Sequence, residues 1–186
     1  MKVYNKEEFK DWLFSTEFTR SIRGVQQHHT WKPNYDHWMN KPDPLYWCES
    51  MKKSHLKRGF SDIAQNITIC PDGSIVVCRD FNKTPAGIRG KNTGFLCIEN
   101  LGDFDNDLMS DSQIESILHV TALLSIKFNF PIDTDSVIYH TWYASYKSCP
   151  GERFFSGNTK GNAMESFYPA IEREIKRIKR EGEASK

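Results

Sequence analysis

Residues that could bind a metal ion are spread over most of the sequence. They are the pair His28-His29, then His140, and finally Cys149. Two imidazoles and one thiolate from separate elements make a three-ligand zinc site with an open fourth position. Zinc with an open position is the arrangement that hydrolytic metal sites use. The sequence therefore predicts a hydrolytic zinc centre.

Hydrophobic patterns indicate the elements that position these residues. Residues 22–27 read as a strand that delivers the first histidine of the pair, and residues 136–139 as a short strand that leads into His140. Residues 95–98 are a continuous apolar run that ends in Glu99, which is typical of a buried central strand. We therefore expect a carboxylate at a strand terminus, close to the imidazoles.

The other predicted elements are helices and a hairpin around these strands. Asn5-Lys6-Glu7-Glu8 is a capping-box pattern that opens a short amphipathic helix. The turn Pro71-Asp72-Gly73 between two β-rich runs predicts a hairpin whose second arm is 75–79. Periodicity predicts further helices over 45–56, from Ser110 to about Phe128, and from Phe167 to a charged tail at Lys179, with a loop over 32–44.

Composition agrees with one domain. The chain has 186 residues, of which 38% are hydrophobic and 13% aromatic, enough to bury a sizeable core. We predict a single α/β domain over residues 1–186. A net charge of +1 gives no general electrostatic footprint for a nucleic acid.

The chain carries no apparent targeting segment. No run approaches the roughly 20 apolar residues of a membrane helix, and Met1 to Glu8 lack the apolar stretch of a secretory signal. Five cysteines form no Cys-x-x-Cys pair, which favours a reducing compartment. We expect a cytoplasmic protein without membrane insertion, in which Cys70, Cys78 and Cys97 act as small hydrophobic residues.

Six short motifs follow one another between about Val25 and Phe155. They are His28-His29-Thr30, Arg58-Gly59-Phe60-Ser61-Asp62-Ile63, Pro71-Asp72-Gly73-Ser74-Ile75, Gly90-Lys91-Asn92, Ile98-Glu99, and His140 followed by Lys147-Ser148-Cys149-Pro150-Gly151. In this order they resemble the zinc-dependent N-acetylmuramoyl-L-alanine amidases, which share their fold with phage-type amidase lysozymes and peptidoglycan recognition proteins. The resemblance implies that fold, a central mixed β-sheet flanked by helices, for most of this chain.

The resemblance also implies a ligand set. It makes His28, His140 and Cys149 the ligands of Zn²⁺ and leaves His29 as a neighbour. Some relatives have an aspartate at the cysteine position, so this chain is similar to those with a thiolate ligand. Zinc lowers the pKa of its bound water to about 7 and polarises a scissile carbonyl, and both effects suit amide hydrolysis.

Two residues match catalytic positions of the family. Glu99 corresponds to the glutamate that serves acid–base catalysis in relatives of the cytoplasmic anhydromuropeptide amidases, and its apolar strand would raise its pKa. Lys147 corresponds to the catalytic lysine, which would stabilise the oxyanion and favour the thiolate. We therefore predict Glu99 and Lys147 as catalytic residues.

Substrate contacts are predicted at Trp31, Gln65 and Asn92. Gln65 stands where phage-type enzymes carry a catalytic tyrosine, and Gly87 stands where many relatives have a histidine. Asn92, like Arg79, could contact substrate or fasten a loop.

The aromatic residues could line a groove or simply pack; they are Trp31, Trp38, Tyr46, Trp47 and Trp142. Three other histidines are interpreted as structural or surface residues: His29, His55 and His119.

The predicted function is hydrolysis of the amide between N-acetylmuramic acid and L-alanine in peptidoglycan or a muropeptide. Two alternatives are a peptidoglycan-binding protein without turnover and a zinc hydrolase of another amide. Non-catalytic members of the family characteristically lack the cysteine, so Cys149 favours the enzyme.

The expected setting is a phage or prophage endolysin, cytoplasmic until its release to the cell wall, or a cytoplasmic muropeptide-recycling enzyme. The sequence does not fix the oligomeric state, and we expect a monomer.

Overall fold

Six strands form one mixed sheet in a computed structural model of the chain, which describes residues 1–184. Across the sheet their order is β1-β4-β3-β5-β2-β6. β4 pairs antiparallel with β1 and β3, whereas the pairs β3–β5, β5–β2 and β2–β6 are parallel. The predicted mixed sheet is confirmed. The strands are β1 (Lys2–Tyr4), β2 (Gly24–His29), β3 (Ile67–Ile69), β4 (Ile75–Val77), β5 (Phe95–Asn100) and β6 (Val137–Tyr139).

Helices flank the sheet, as predicted. Asn5 caps the first helix through a capping box with Glu8, in agreement with the sequence pattern. The helices are α1 (Lys6–Ser15), α2 (Tyr35–Asn40), α3 (Pro44–Lys57), α4 (Asp111–Phe128), α5 (Lys160–Asn162) and α6 (Tyr168–Ala184). A π-helical turn, Ala163–Phe167, joins α5 to α6, and short 3₁₀ turns span His140–Trp142 and Phe154–Ser156. None of the described helices is long and apolar enough to cross a membrane.

Side chains alternate between two faces of the sheet, and the two faces differ in character. The core face carries Val25, Leu96 and Ile98, which are fully buried against α1, α4 and α6 in the main hydrophobic cluster. Gln27 also lies on this face, where its Nε2 donates to Thr121 Oγ1 of α4 at 3.1 Å. Most of the stabilising apolar burial is therefore on one side of the sheet.

The opposite face, here called the polar face, carries Gln26, His28 and Glu99 on β2 and β5. Smaller clusters cover its two ends. α2 and α3 contribute Trp38, Cys48 and Met51 to one cluster, and Ile88, Phe95 and Ile138 form the other. The polar side chains of the central strands therefore lie between two apolar patches.

Three segments differ from the predictions. Residues 32–44 contain α2, because Asn34 caps it through a capping box with His37 and Trp38 is buried. β1 is a three-residue edge strand, too short for its period to be visible in sequence. α6 continues beyond Lys179 to Ala184, supported by Arg177, which pairs with Glu174 and Glu181. The last two residues of the predicted charged tail lie outside the described part of the chain.

The cysteines of the predicted apolar stretches are buried or half-buried. Cys70 and Cys97 are fully buried. Cys78 is half-buried against the α2–α3 cluster, with its Sγ 3.8 Å from Cys48 Sγ. Their positions agree with the interpretation of these residues as small hydrophobic side chains.

Candidate metal centre

The parallel strands bring the polar residues of the sequence motifs into one row. His28 on β2 is the register partner of Glu99 on β5, and Thr68 on β3 is the partner of Glu99 on its other side. His140 directly follows Tyr139, the partner of Gln27, and therefore lies beside His28. Register partners point to the same face of a sheet. The sheet thus places two histidines and a carboxylate together on its polar face.

Cys149 completes a group of three potential metal ligands. The ligand atoms of His28, His140 and Cys149 all lie within 4.8 Å of one another. His28 Nδ1 is 3.4 Å from Cys149 Sγ. Tetrahedral zinc, with bonds of about 2.0–2.3 Å, requires ligand atoms roughly 3.5 Å apart. These distances and donor types fit zinc. His28 and Cys149 are buried whereas His140 is half-buried, so the group is more open on the side of His140.

The electrostatics of the group favour metal binding. Burial, with the neighbouring His140 and His29, lowers the pKa of His28 well below its usual value. Burial and Lys147 likewise lower the pKa of His140. Both imidazoles are therefore neutral and hold a lone pair at neutral pH. Burial and then Glu99 raise the pKa of the Cys149 thiol well above its usual value, so a thiolate here requires an adjacent cation such as zinc.

The loop that carries Cys149 is anchored on both sides of the thiol. The Ser148 hydroxyl and the Glu152 N–H, which flank Cys149, both donate to the carboxylate of Asp105. The N–H of Thr141 donates to the Cys149 carbonyl at 2.8 Å. Gly151 has φ +108°, and a Cβ there would lie 2.6 Å from the carbonyl carbon of Phe104. The Pro-Gly sequence after the cysteine thus allows a close packing that larger residues would prevent.

A second group of potential ligands, His29, Asp103 and Asp105, has a different role. His29 Nδ1 accepts from the Phe104 N–H at 3.0 Å, so the proton of the neutral ring is on Nε2 and no lone pair is free. Asp103 accepts from Asn106 at 2.9 Å, and Asp105 holds the cysteine loop. These bonds tie the group to the neighbouring loops. That His29 is a neighbour and not a ligand stays a prediction.

Glu99 has the environment of an acid–base catalyst. Its side chain is half-buried, and its Oε2 is buried with no hydrogen-bond partner among the described residues. Burial raises the pKa of Glu99 to about 8, as expected from its apolar strand. The carboxyl group is therefore able to gain and lose a proton near neutral pH.

Lys147 is exposed at the edge of the centre. Its Nζ is 5.5 Å from the ring centre of Tyr146. Its charge lowers the pKa of both His140 and Cys149, which places it on the same side as the ligands. A flexible ammonium group in this position can approach an anion bound at the centre.

The three predicted substrate-contact residues lie in different environments. Trp31 follows β2 and is 59% exposed. Gln65 is fully buried and donates to Thr68 Oγ1 at 3.0 Å, so its side chain does not reach the open side of the metal centre. Asn92 is half-buried, and its Oδ1 accepts from the N–H groups of Gly87 and Ile88 at 3.0 Å. Direct contact with substrate stays a prediction for all three.

Other residues that the sequence left open have structural contacts. Arg79 donates to the carbonyls of Ile63, Thr84 and Asp62, and so fastens two loops. The aromatic residues do not form one groove, because Trp38 is buried in a core cluster whereas Trp31 is exposed.

Sequence reasoning missed Gln26 as a member of the site. It is fully buried, and its Oε1 is 3.2 Å from His28 Nε2. Its position two residues before His28 on a strand was the available signal, since alternate residues share a face.

The family model for N-acetylmuramoyl-L-alanine amidase matches residues 18–152 of the sequence. This range includes all three potential ligands, Glu99 and Lys147. A search among curated proteins finds no match.

Solved structures of amidases and recognition proteins share the fold. The endolysin amidase LysCS from Clostridium intestinale is 23% identical, over 73% of this chain and 78% of that chain, with a TM-score of 0.61. Drosophila PGRP-LB is 25% identical, over 76% of this chain and 81% of that chain, with a TM-score of 0.64. A mutant of PGRP-LB in complex with tracheal cytotoxin gives the same identity and TM-score, over 76% and 82% of the two chains.

Proposed function

Because the chain belongs to the N-acetylmuramoyl-L-alanine amidase family, we propose that it is a zinc-dependent hydrolase of peptidoglycan. The bond cleaved is the amide between N-acetylmuramic acid and the L-alanine of the stem peptide. One observation carries this proposal: His28, His140 and Cys149 converge within 4.8 Å, beside a carboxyl group with a raised pKa. A protein that only binds peptidoglycan has no need of that combination.

In the proposed mechanism the two histidines and the cysteine hold the metal. The chemistry that zinc supplies when bound is activation of water and polarisation of a carbonyl group. Glu99 Oε2 takes a proton from the attacking water and returns it to the departing alanine nitrogen, which leaves as an amine. Lys147 Nζ stabilises the negative charge on the lactyl carbonyl oxygen. Trp31, which is 59% exposed and lies three residues after His28, would supply an apolar surface for substrate.

The experiment that tests this function is mass spectrometry of purified peptidoglycan after digestion with the zinc-loaded protein. We expect free stem peptides with a new L-alanine N-terminus. The Cys149→Ala variant should release none. Cys70→Ala is the matched control, because it removes another buried thiol from a cluster away from the ligands and should retain activity.

The same digestion also distinguishes the alternative functions. If the zinc-loaded protein binds the wall but releases no peptides, the proposed function is wrong and the protein is a peptidoglycan-recognition module. Cleavage of intact sacculi would support the role of a phage-type endolysin, as in LysCS by its name. Cleavage of soluble fragments alone would support muropeptide recycling.

A further inference from the structure

Gln26 forms a hydrogen-bond network between a potential zinc ligand and a loop. Its Oε1 lies 3.2 Å from His28 Nε2 and accepts from the Ile88 N–H at 3.1 Å. Its Nε2 donates to the Lys91 carbonyl at 2.8 Å and to Asn92 Oδ1 at 3.2 Å. The amide therefore has partners on both ends although it is fully buried.

These partners fix which end of the amide faces His28. Lys91 and Asn92 offer oxygen atoms, so the amide NH₂ must point towards them. Ile88 offers an N–H, so the amide oxygen must point the other way, towards Ile88 and His28. An oxygen acceptor next to His28 Nε2 requires that Nε2 carry the proton. The lone pair of the neutral ring is then on Nδ1, the atom that faces Cys149 Sγ at 3.4 Å.

We infer that Gln26 is a positioning residue that holds His28 in the Nε2-protonated tautomer and thereby presents Nδ1 to the metal. The inference rests on the proposed zinc site. In proteins, metal-binding histidines commonly donate the second ring N–H to an acceptor, and loss of such an acceptor typically costs about 10- to 100-fold in metal affinity. A neutral amide provides this acceptor here, without adding negative charge near Cys149 and Glu99.

The loop approaches closely enough to hold Gln26 because residue 87 is glycine. A Cβ at Gly87 would lie 2.2 Å from Gln26 Oε1 and 3.0 Å from His28 Nε2. Asn92 closes the same loop by accepting from the N–H groups of Gly87 and Ile88. The geometry of the loop and the tautomer of the ligand are therefore linked through one amide.

Nuclear magnetic resonance of ¹⁵N-labelled, zinc-free protein tests the tautomer directly. In the wild type we expect His28 to be neutral, with the proton on Nε2. Gln26→Met keeps the approximate shape of the side chain but removes the acceptor, so we expect the Nδ1-protonated form to appear. Zinc affinity, measured by competition with a chromophoric chelator, should fall about 10- to 100-fold.

The matched control is Gln27→Met, the neighbouring buried glutamine on the core face. Its amide bonds to Thr121 and to Asn100, and Asn100 also donates to the backbone carbonyl of His28 but not to its ring. We expect lower thermal stability, an unchanged His28 tautomer and zinc affinity within about twofold of the wild type, because the removed bonds do not involve the His28 ring. A merely structural role for Gln26 would give its variant this same result.

The inference is overturned if wild-type His28 carries its proton on Nδ1, or if Gln26→Met leaves both the tautomer and zinc affinity unchanged. A wild-type protein that binds no zinc would overturn the proposed function instead. The tautomer measurement on the zinc-free protein separates these two failures.

Discussion

Glu99 is the residue of the site whose chemistry depends most on its surroundings. A glutamate on an exposed strand end would be ionised at neutral pH. Here Oε2 is buried without a hydrogen-bond partner in residues 1–184, and burial raises the pKa to about 8. Two consequences can be measured separately: one concerns catalysis and the other concerns stability.

Glu99→Gln should lower kcat about 100- to 10,000-fold, because the amide cannot transfer the proton. Zinc content, measured by mass spectrometry, should stay at the wild-type value, since Glu99 is not among the three converging ligands. Full activity of the zinc-loaded variant would show that another group moves the proton.

The same substitution should stabilise the zinc-free protein at alkaline pH. The folded state binds the Glu99 proton more tightly than the unfolded chain, whose pKa is near 4.5, so the free energy of unfolding falls as pH rises from about 4.5 to about 8. Glu99→Gln removes this decrease in the free energy of unfolding, because the amide has no proton to lose over this range. We expect it to be more stable than the wild type by about 1 kcal/mol or more at pH 8, allowing for partial exposure, and equal to it near pH 4. Urea titrations at both pH values measure the difference, and a pH-independent difference would contradict the raised pKa.

At the scale of elements, the site depends on parallel strands and on two loops. β2 and β5 place His28 beside Glu99, and β6 ends where His140 begins. The loop after β6 brings in Cys149 and is held by Asp105. The loop before β5 reaches Gln26 because Gly87 has no side chain.

Gly87→Ala should weaken zinc binding about 10-fold or more, because the new Cβ would displace the amide that holds His28. Overpacking of this kind also costs about 1–3 kcal/mol of stability. Chelator competition and thermal unfolding measure the two effects. Gly161→Ala is the control, since its Cβ meets only Thr159 Oγ1 at 3.7 Å and zinc affinity should not change. Equal zinc affinity in the two variants would show that the loop does not position the ligand.

At the scale of the whole molecule, the apolar core and the metal centre lie on opposite faces of one sheet. The main cluster joins α1, α4 and α6 to the core face and involves none of the potential ligands. The zinc-free chain should therefore fold, and metal binding should add stability by linking β2, the segment after β6 and the cysteine loop.

Saturating zinc should raise the melting temperature of the wild type. At about 1,000 times the dissociation constant, a ligand that binds only the folded state adds about 4 kcal/mol, which corresponds to roughly 8–16 °C for a chain of this size. Differential scanning calorimetry with and without a chelator measures the shift. The Cys149→Ala variant should show a much smaller shift, and an equal shift in both proteins would place the metal elsewhere.

The sequence by itself determined most of the strands and helices of an α/β fold, because hydrophobic period, capping residues and turn residues are local signals. Its motifs resembled those of a family with a mixed sheet, and through that resemblance implied the arrangement of the strands. Its histidines and Cys149 also predicted a metal centre, since few residue types bind zinc. Tertiary structure decided the rest. Strand register set His28 beside Glu99, and loop packing gave Asn92 and Arg79 hydrogen bonds to loop backbones and buried Gln65. The alternation of a strand placed Gln26 on the face of His28, but its bonds to Ile88, Lys91 and Asn92 came only from tertiary structure, because contacts between remote segments leave no local pattern in sequence.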